Sequence, residues 1–389
     1  MVYFDHNATT PVREEVLAAM LPYWRERAGN PSSVHGMGRA ARTGLDTARR
    51  QVAAAVEVHE SQVIFTSGGT EANNLALMGV AASHGFRGHL LVGAVEHPSV
   101  LEMARSLERR GMELSLAGVG PGGRYDPEEV ASCLRPDTRL VSLMLANNET
   151  GVLQPVAEVA RLCRERDIPC HSDAVQAFGR EALSLADPGV DLLSLSAHKI
   201  GGPKGVGALI VTPGLALEAM LLGGGQERGR RSGTENLAGI VGFGQACILA
   251  MREREAAAEK VRALRNHLEE RLGALFPEMR LFGREEPRLP NTVCLSLPGI
   301  DGEMLVMALD MAGFCISSGS ACSSGKTRVS HVLAAMGVEP ALASGAIRLS
   351  LGSDNRQEEV EGFVEALHRI VQRLLRTNPF FSPNTTFSG

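Results

Sequence analysis

Short apolar runs alternate with helical patterns along residues 60–212, and no other feature of the chain constrains its fold as strongly. The runs that have the length and composition of buried strands are 63–65, 90–92, 140–143, 168–171, 192–195 and 208–211. Helical patterns, such as the one over residues 155–166, lie between several of them. Strands that alternate with helices form mainly parallel sheets covered by helices on both faces. The pattern therefore predicts a large α/β domain.

A second, smaller domain is predicted in the C-terminal third. A long charged helix around residues 251–276 leads into it. Strand, helix, loop, strand and helix patterns then follow at 291–297, 303–312, 317–325, 346–351 and 358–375. We therefore expect residues 15–255 to form the large domain, and residues 1–14 and 256–389 to form a small α+β domain. A chain of 389 residues is long enough to bury both cores.

Composition argues against several classes of protein. A net charge of −5 gives no basic surplus for nucleic-acid binding. The longest apolar stretch, 237–251, is shorter than the roughly 20 residues that cross a bilayer, and the N-terminal residues lack the apolar region of a secretion signal. The seven cysteines are scattered without a CxxC pair, which argues against disulfides and structural zinc. We expect a cytoplasmic protein with no membrane segment and no metal.

Lys199 is the residue with the clearest chemical prediction. The chain has only four lysines among its 39 basic residues, and the other three lie in a Gly-rich turn, a charged helical pattern and a Ser/Gly-rich loop. Lys199 follows the buried run 192–195 and precedes a Gly-rich turn. A lysine can attach pyridoxal phosphate (PLP) covalently, whereas arginine cannot. Active-site residues of open α/β sheets lie at such carboxyl ends of strands.

Three other polar groups follow predicted strands, and each has an ordinary structural alternative. The turn 67–71 (Ser-Gly-Gly-Thr-Glu) opens a helix and suits a phosphate, but short glycine turns also begin ordinary helices. Asp173, with Gln176 three residues later, is placed to pair with a pyridine nitrogen or to cap a loop. His97 is placed either to stack on a cofactor ring or to serve a structural role.

Cys322 has a setting unlike that of most of the other cysteines. It lies in the polar loop 317–325 (Ser-Ser-Gly-Ser-Ala-Cys-Ser-Ser-Gly), whereas free cysteines are usually buried. The loop is either an incidental linker or the carrier of a nucleophile that must travel to a substrate. Lys326 and Arg328 would favour the thiolate form. Cys315 is close by in a more apolar context and is the weaker candidate.

Taken together, these motifs resemble the class V aminotransferase-like PLP enzymes, and within them the cysteine desulfurases of the NifS/IscS type. The resemblance spans nearly the whole chain and rests on motifs that occur in the same order. They are 5–11 (DHNATTP), 30–33 (NPSS), 66–71 (TSGGTE), 147–151 (NNETG), 171–176 (HSDAVQ), 196–205 (SAHKIGGPKG), 223–228 (GGGQER), 231–234 (RSGT) and 318–322 (SGSAC).

The resemblance implies the PLP-dependent transferase fold of type I and a role for each matching residue. Lys199 would hold PLP, Asp173 would pair with its pyridine nitrogen, and His97 would stack on the ring. The remaining implied contacts are Gln176 to the ring hydroxyl; Gly69, Thr70, Ser196, His198 and, from a second subunit, Thr234 to the phosphate; Asn148 and Arg348 to the substrate carboxylate; and Cys322 as the nucleophile.

The reaction implied by the resemblance converts L-cysteine to L-alanine and leaves the sulfur on Cys322 as a persulfide. The partners implied are L-cysteine, a second copy of the chain and a sulfur-acceptor protein, either a scaffold or a sulfur carrier. Iron–sulfur assembly, tRNA thiolation and cofactor sulfuration all remain open as destinations. A selenocysteine lyase, another PLP-dependent lyase or aminotransferase, and a sulfur carrier without enzymatic activity are the alternatives.

Overall fold

The computed structural model describes residues 1–182, 189–319 and 329–377. The strands in these ranges are β1 (Val2–Tyr3), β2 (Val63–Thr66), β3 (His89–Gly93), β4 (Glu113–Ala117), β5 (Thr138–Ser142), β6 (Cys170–Asp173), β7 (Leu192–Ser196), β8 (Gly207–Val211), β9 (Arg280–Leu281), β10 (Thr292–Ser296), β11 (Phe314–Cys315), β12 (Ser317–Ser318) and β13 (Ala346–Ser350). The helices are α1 (Glu14–Arg25), α2 (Gly36–Ala55), α3 (Gly69–Ser83), α4 (Pro98–Glu108), α5 (Pro127–Ser132), α6 (Val156–Arg164), α7 (Leu237–Leu275), α8 (Gly302–Met311), α9 (His331–Ala335), α10 (Pro340–Ser344) and α11 (Gln357–Thr377).

A seven-stranded sheet forms the centre of the molecule, in the order β2-β8-β7-β6-β5-β3-β4. β8 runs antiparallel to both of its neighbours, and the remaining pairs are parallel. All six strands predicted from the apolar runs belong to this sheet. The predicted α/β class with a mainly parallel sheet is therefore confirmed.

Both faces of the seven-stranded sheet are covered, as alternation of side chains along a strand requires. In β3, Leu90 packs into one buried cluster with residues of α3 and α4, whereas Leu91 packs into another with residues of α2 and α6. Because a strand buried on both faces is apolar at successive positions, β3 has the sequence of a continuous apolar run.

Two elements of the structure, β4 and α7, differ from what the sequence patterns predicted. β4, at the edge of the sheet, was not predicted because its residues are mostly polar or exposed, from Glu113 to the half-exposed Ser115. The charged helix expected at residues 251–276 and the buried helix expected at 237–251 are one continuous helix of 39 residues, α7. Its first part is apolar because it is buried, and its later part is charged because much of it is exposed.

A smaller antiparallel sheet, in the order β12-β13-β10-β9, carries the C-terminal part of the chain. The N-terminal residues join this part, since β1 pairs with β11 and Asp5 bridges to Ser350. Phe4 is buried there, with its ring 5.8 Å from the ring of Phe363. The first residues of the chain therefore pack with the last third.

The helix α7 connects two hydrophobic cores. Residues up to Leu249 are buried with the seven-stranded sheet and its helices, and residues from Val261 onward belong to the core around the smaller sheet. A division of the chain near residue 255 remains a prediction, and this change of core lies close to it. No helix in the part of the chain that the structure describes is long and apolar enough to cross a membrane.

Candidate cofactor and substrate site

The carboxyl ends of the parallel strands meet at one edge of the large sheet, beside a cavity of about 540 Å³. The cavity collects polar side chains that are far apart in the sequence. Ten of the residues predicted for the site line it: Gly69, Thr70, His97, Asn148, Asp173, Gln176, Ser196, His198, Lys199 and Arg348. Nine of them follow or end one of the strands β2, β3, β5, β6 and β7, and Arg348 lies within β13.

Lys199 lies in a short helical turn directly after β7. Its Nζ donates hydrogen bonds to the carbonyl oxygens of Asn7 at 2.5 Å and Ala8 at 2.8 Å. The N-terminal segment therefore lies over the lysine and holds its amine at the cavity. Asn7 and Ala8 belong to the motif at residues 5–11, although no chemical role was predicted for either of them.

Asp173 ends β6 and is almost completely buried. One carboxylate oxygen accepts a 2.6 Å hydrogen bond from Nδ2 of Asn73, and the other accepts one from the Val175 N–H at 2.9 Å. Nδ2 of Asn73 also donates to Oγ of Ser99 at 2.9 Å. These contacts fix the carboxylate while leaving it at the cavity wall.

His97 begins α4, and its Nδ1 lies 2.8 Å from Oγ of Ser99 and accepts from the Ser99 N–H at 3.1 Å. Asn73 and Ser99 thus link the histidine to the carboxylate of Asp173. Burial lowers the pKa of His97, and the charge of Lys199 lowers it further, against the opposing effect of Asp173. The ring is therefore neutral near pH 7 and suited to pack against another planar ring.

The turn before α3 forms one end of the cavity. Gly68 has a φ of +154°, which favours glycine, and a Cβ on Gly69 would come within 2.7 Å of Cγ2 of Val175. The first N–H groups of a helix have no partner within it and attract anions. Oγ of Ser196 is buried and has no hydrogen-bond partner among the described residues. This end of the cavity therefore offers donors for a phosphate.

His198 also lines the cavity. Burial, followed by the charges of Lys199 and Lys204, lowers its pKa to about 4. Its Nδ1 lies 3.2 Å from Oγ1 of Thr9. The ring is neutral at physiological pH and can donate a single N–H.

Arg348, on β13, is buried and lines the same cavity. Its Nη2 donates to Oδ1 of Asp5 at 2.7 Å and its Nη1 to the carbonyl oxygen of Asn148 at 3.0 Å. Its Nε is buried without a partner in the described part of the chain. A guanidinium in this position can bind a carboxylate, and Asp5 balances its charge meanwhile.

Gln176 is held by hydrogen bonds to Asn7 and Arg180. No chemical role was predicted for Asn7, and Arg180 was not singled out from the sequence. Nε2 of Gln176 donates to the carbonyl oxygen of Asn7 at 2.9 Å, and its Oε1 accepts from Nη1 of Arg180 at 2.6 Å. Burial, and to a lesser extent the charge of Arg348, lowers the pKa of Arg180 to about 10. Arg180 was missed because its partner is one helical turn away, a spacing that occurs throughout any sequence.

Among the described residues, one predicted site residue, Thr234, does not line the cavity. Thr234 is exposed and lines a small adjoining pocket of about 120 Å³, which shares Ser67 and Gly205 with the cavity. Its predicted contact from a second subunit stays a prediction. Cys322 lies outside the described residues. Among the described residues, no group of three or more His, Cys, Asp or Glu side chains is placed to hold a metal ion.

The cavity fits PLP. It offers an amine that can bond covalently, a fixed carboxylate, a neutral histidine ring and, at one end, a helix start beside the unpartnered hydroxyl of Ser196. These are the groups that the aldehyde, pyridine nitrogen, ring face and phosphate of PLP require.

The chain belongs to the aminotransferase class-V family, whose model matches residues 2–363. Among curated relatives, it is 42% identical to a protein named cysteine desulfurase IscS from Dictyoglomus turgidum, over 97% of this chain and 96% of the relative. It is also 42% identical to the protein of the same name from Methanosarcina thermophila, over 97% and 94% of the two chains.

Solved structures give the same result for the fold. A NifS-like protein superposes with a TM-score of 0.90 at 39% identity, over 96% of this chain and 99% of the other. A structure titled SspA in complex with cysteine has a TM-score of 0.81 at 32% identity, over 91% and 99% of the two chains. The predicted family and the fold of type I PLP enzymes are therefore confirmed, and PLP is the cofactor of this class.

Proposed function

We propose that this chain is a PLP-dependent cysteine desulfurase, which converts L-cysteine to L-alanine and transfers the sulfur to Cys322. The observation that carries the proposal is the convergence of Lys199, Asp173 and Arg348 on one cavity from three distant parts of the sequence. Relatives that carry the name cysteine desulfurase, and a similar structure titled as a complex with cysteine, support the choice of substrate.

The cofactor would be held by the residues at the strand ends. Lys199 would bond to it covalently, Asp173 would face the pyridine nitrogen, His97 would cover the ring and Gln176 would face the ring hydroxyl. Gly69, Thr70, Ser196 and His198 would hold the phosphate. When bound, PLP supplies an electron sink that stabilises negative charge on the α-carbon of an amino acid. The carboxylate of Asp173 would keep the pyridine nitrogen protonated for this purpose.

Arg348 and Asn148 orient the substrate. The guanidinium of Arg348 binds the carboxylate of L-cysteine and releases Asp5 to solvent, where a carboxylate is well hydrated. Nζ of Lys199 removes the proton from the α-carbon and returns a proton later in the reaction. The carbonyl oxygens of Asn7 and Ala8, which accept hydrogen bonds from this amine, keep it at the cavity between the two transfers.

Cys322 is the acceptor of the sulfur. Its thiolate attacks the substrate sulfur, so that an S–S bond forms while the bond from the substrate β-carbon to sulfur breaks. Cysteine and the Cys322 thiol together become alanine and a Cys322 persulfide, so the step needs no additional oxidant or reductant. Gly319, whose N–H donates to the carbonyl oxygen of Ala346 at 2.8 Å, is three residues before Cys322.

The persulfide sulfur then passes to an acceptor protein, either a scaffold or a sulfur carrier, for iron–sulfur clusters or for thiolated cofactors and tRNA. The working form is a homodimer in which Thr234 contributes to the phosphate site of the partner subunit. The chain divides into a large domain of residues 15–255 and a small domain of residues 1–14 and 256–389. A reducing compartment such as the cytoplasm suits the thiol chemistry.

The decisive experiment measures alanine and sulfide production from L-cysteine with PLP and a reductant. We expect equal amounts of both products from the parent protein and almost none from Cys322→Ala, because the sulfur has lost its acceptor. Cys315→Ala, which removes the neighbouring thiol, is the matched control and should keep the parent rate. Parental sulfide release by Cys322→Ala would show that the nucleophile is assigned wrongly.

A further inference from the structure

The described chain resumes at Val329. The next residue, Ser330, is buried, and its side chain makes two hydrogen bonds. Its Oγ donates to Oε2 of Glu149 at 2.5 Å and accepts from the N–H of Leu333 at 3.1 Å. The second contact begins α9, as a serine at a helix start commonly does. The first contact crosses 181 positions of sequence and is not needed for the helix.

Glu149 is the residue after Asn148, which we assign to the substrate carboxylate. Its side chain is almost completely buried, and burial raises its pKa to about 7, against the opposing effects of the Ser330 hydroxyl and Arg348. A buried carboxyl at this position is costly unless its oxygens are satisfied. The fold therefore buries the carboxyl group of Glu149 next to the substrate-binding residue Asn148 and provides Ser330 as its hydrogen-bond partner.

A second contact joins the same stretch of chain to the cofactor side of the site. Nε2 of His331 lies 2.8 Å from the carbonyl oxygen of Glu96, the residue that precedes His97. Glu96 is itself buried, and its carboxyl oxygen accepts a hydrogen bond from the Met144 N–H at the end of β5. Ser330 and His331 thus contact the residues adjacent to Asn148 and His97.

We propose that Glu149 and Ser330 are positioning residues for sulfur transfer. Their hydrogen bond holds the chain downstream of Cys322 against the substrate site, while β12 holds the chain upstream of it beside Arg348. This inference rests on the proposed role of Cys322. It assigns Glu149 and Ser330 to the transfer of sulfur and not to the binding of cysteine or of the cofactor.

The experiment measures the binding of cysteine at the cofactor and the transfer of sulfur separately in the variant Ser330→Ala. A single turnover with L-cysteine is followed by two readouts: the absorbance change of the bound cofactor, and the appearance of persulfide on Cys322 by alkylation and mass spectrometry. We expect persulfide formation to slow roughly tenfold to a hundredfold, the effect of losing a hydrogen bond to a charged group. The absorbance change should keep its amplitude and its dependence on cysteine concentration.

Four further variants test the interpretation. Ser330→Thr keeps the hydroxyl and should restore persulfide formation. Glu149→Leu, which has no acceptor, should slow it in the same way as Ser330→Ala, and the double variant should be no slower than Ser330→Ala, because both changes remove one interaction. Ser344→Ala removes an exposed serine hydroxyl from α10 and should match the parent protein.

Persulfide formation within about twofold of the parent rate in Ser330→Ala would overturn the proposal. An equal loss of the cofactor absorbance change would also overturn it, because the pair would then support the whole site. A parent protein that produces alanine without any persulfide on Cys322 would contradict the assigned function, and the positioning role would fall with it.

Amide exchange in residues 331–335, measured on the same variants, should quicken in Ser330→Ala and not in Ser330→Thr.

Discussion

At the scale of single residues, the site depends on a few side chains whose environments set their protonation. His97 and His198 are both buried enough to be neutral near pH 7, because burial lowers the pKa of each. Asp173 is held in place by two hydrogen bonds, from Asn73 and from the Val175 N–H. Burial thus keeps both histidines of the site uncharged beside Lys199.

Lys199→Ala tests the assignment of the amine. The variant should lose the covalently bound cofactor, and alanine formation should fall by at least roughly a hundredfold to ten-thousandfold, the usual contribution of a positioned acid–base group. Lys260→Ala, which removes an exposed lysine bonded to the Ser353 carbonyl, is the matched control and should keep both properties. Visible absorbance after gel filtration and alanine assays provide the measurement. Retention of the cofactor absorbance in Lys199→Ala would contradict the assignment.

Sequence reasoning at this scale succeeded where a residue lies at a strand end inside a recognisable motif, as for Asp173 and Lys199. It missed Asn73, Ser99 and Arg180, whose side chains support the site from helices and loops. An asparagine or a serine within a helical pattern has no distinctive spacing, and its role depends on which strand end the fold brings beside it. Glu149 is of the same kind, because only the folded chain shows that Ser330 reaches it.

At the scale of elements, α7 is the structure that joins the two cores. Apolar runs predicted the buried strands correctly. The single helix of 39 residues gave two separate sequence patterns, because its buried face packs into one core at its start and into another at its end. The periodicity of a helix depends on what it packs against, and here the surroundings change between Leu249 and Val261. The edge strand β4 was missed for a related reason, since exposure lets polar residues occupy it.

Ala256→Pro tests the continuity of α7. Residue 256 is exposed and lies between the two cores, so the substitution removes a backbone hydrogen bond without changing either core. We expect the free energy of unfolding to fall by about 3 kcal/mol, against about 1 kcal/mol for the control Ala256→Gly. Urea unfolding of the PLP-loaded protein measures both values. Equal, small effects of the two substitutions would mean that the helix is not continuous there in solution.

At the scale of the whole molecule, the two ends of the described chain meet at the site. Asp5 and Asn7 come from the first residues of the chain and contact Arg348 and Lys199, which are about 340 and 190 positions away. No local pattern predicts such contacts, and the resemblance of residues 5–11 to a known family marked the segment without giving Asp5 or Asn7 a role. The cavity is therefore a property of the complete fold, with the smaller sheet providing Arg348 and the larger one nearly everything else.

Subunit association is the remaining property at this scale, and Leu222 provides its test. The leucine is 85% exposed, and the carbonyl oxygen of its neighbour Leu221 accepts a hydrogen bond from the Ser232 N–H, in the segment that carries Thr234. We propose that Leu222 lies in the subunit contact, because it is joined to the segment that carries the predicted contact residue Thr234. We expect the parent protein to sediment as a dimer of 41.4 kDa chains.

Leu222→Glu should shift this dimer toward the monomer, because it would place a carboxylate in the buried contact. Met311→Glu, at an equally exposed residue on α8, is the matched control and should leave the dimer intact. The affinity for PLP, measured in the same samples, should fall only in Leu222→Glu, since the monomer lacks the partner's Thr234 at the phosphate. A Leu222→Glu protein that remains dimeric with parental PLP affinity would place the subunit contact elsewhere and remove the reason for assigning Thr234 to the partner's site.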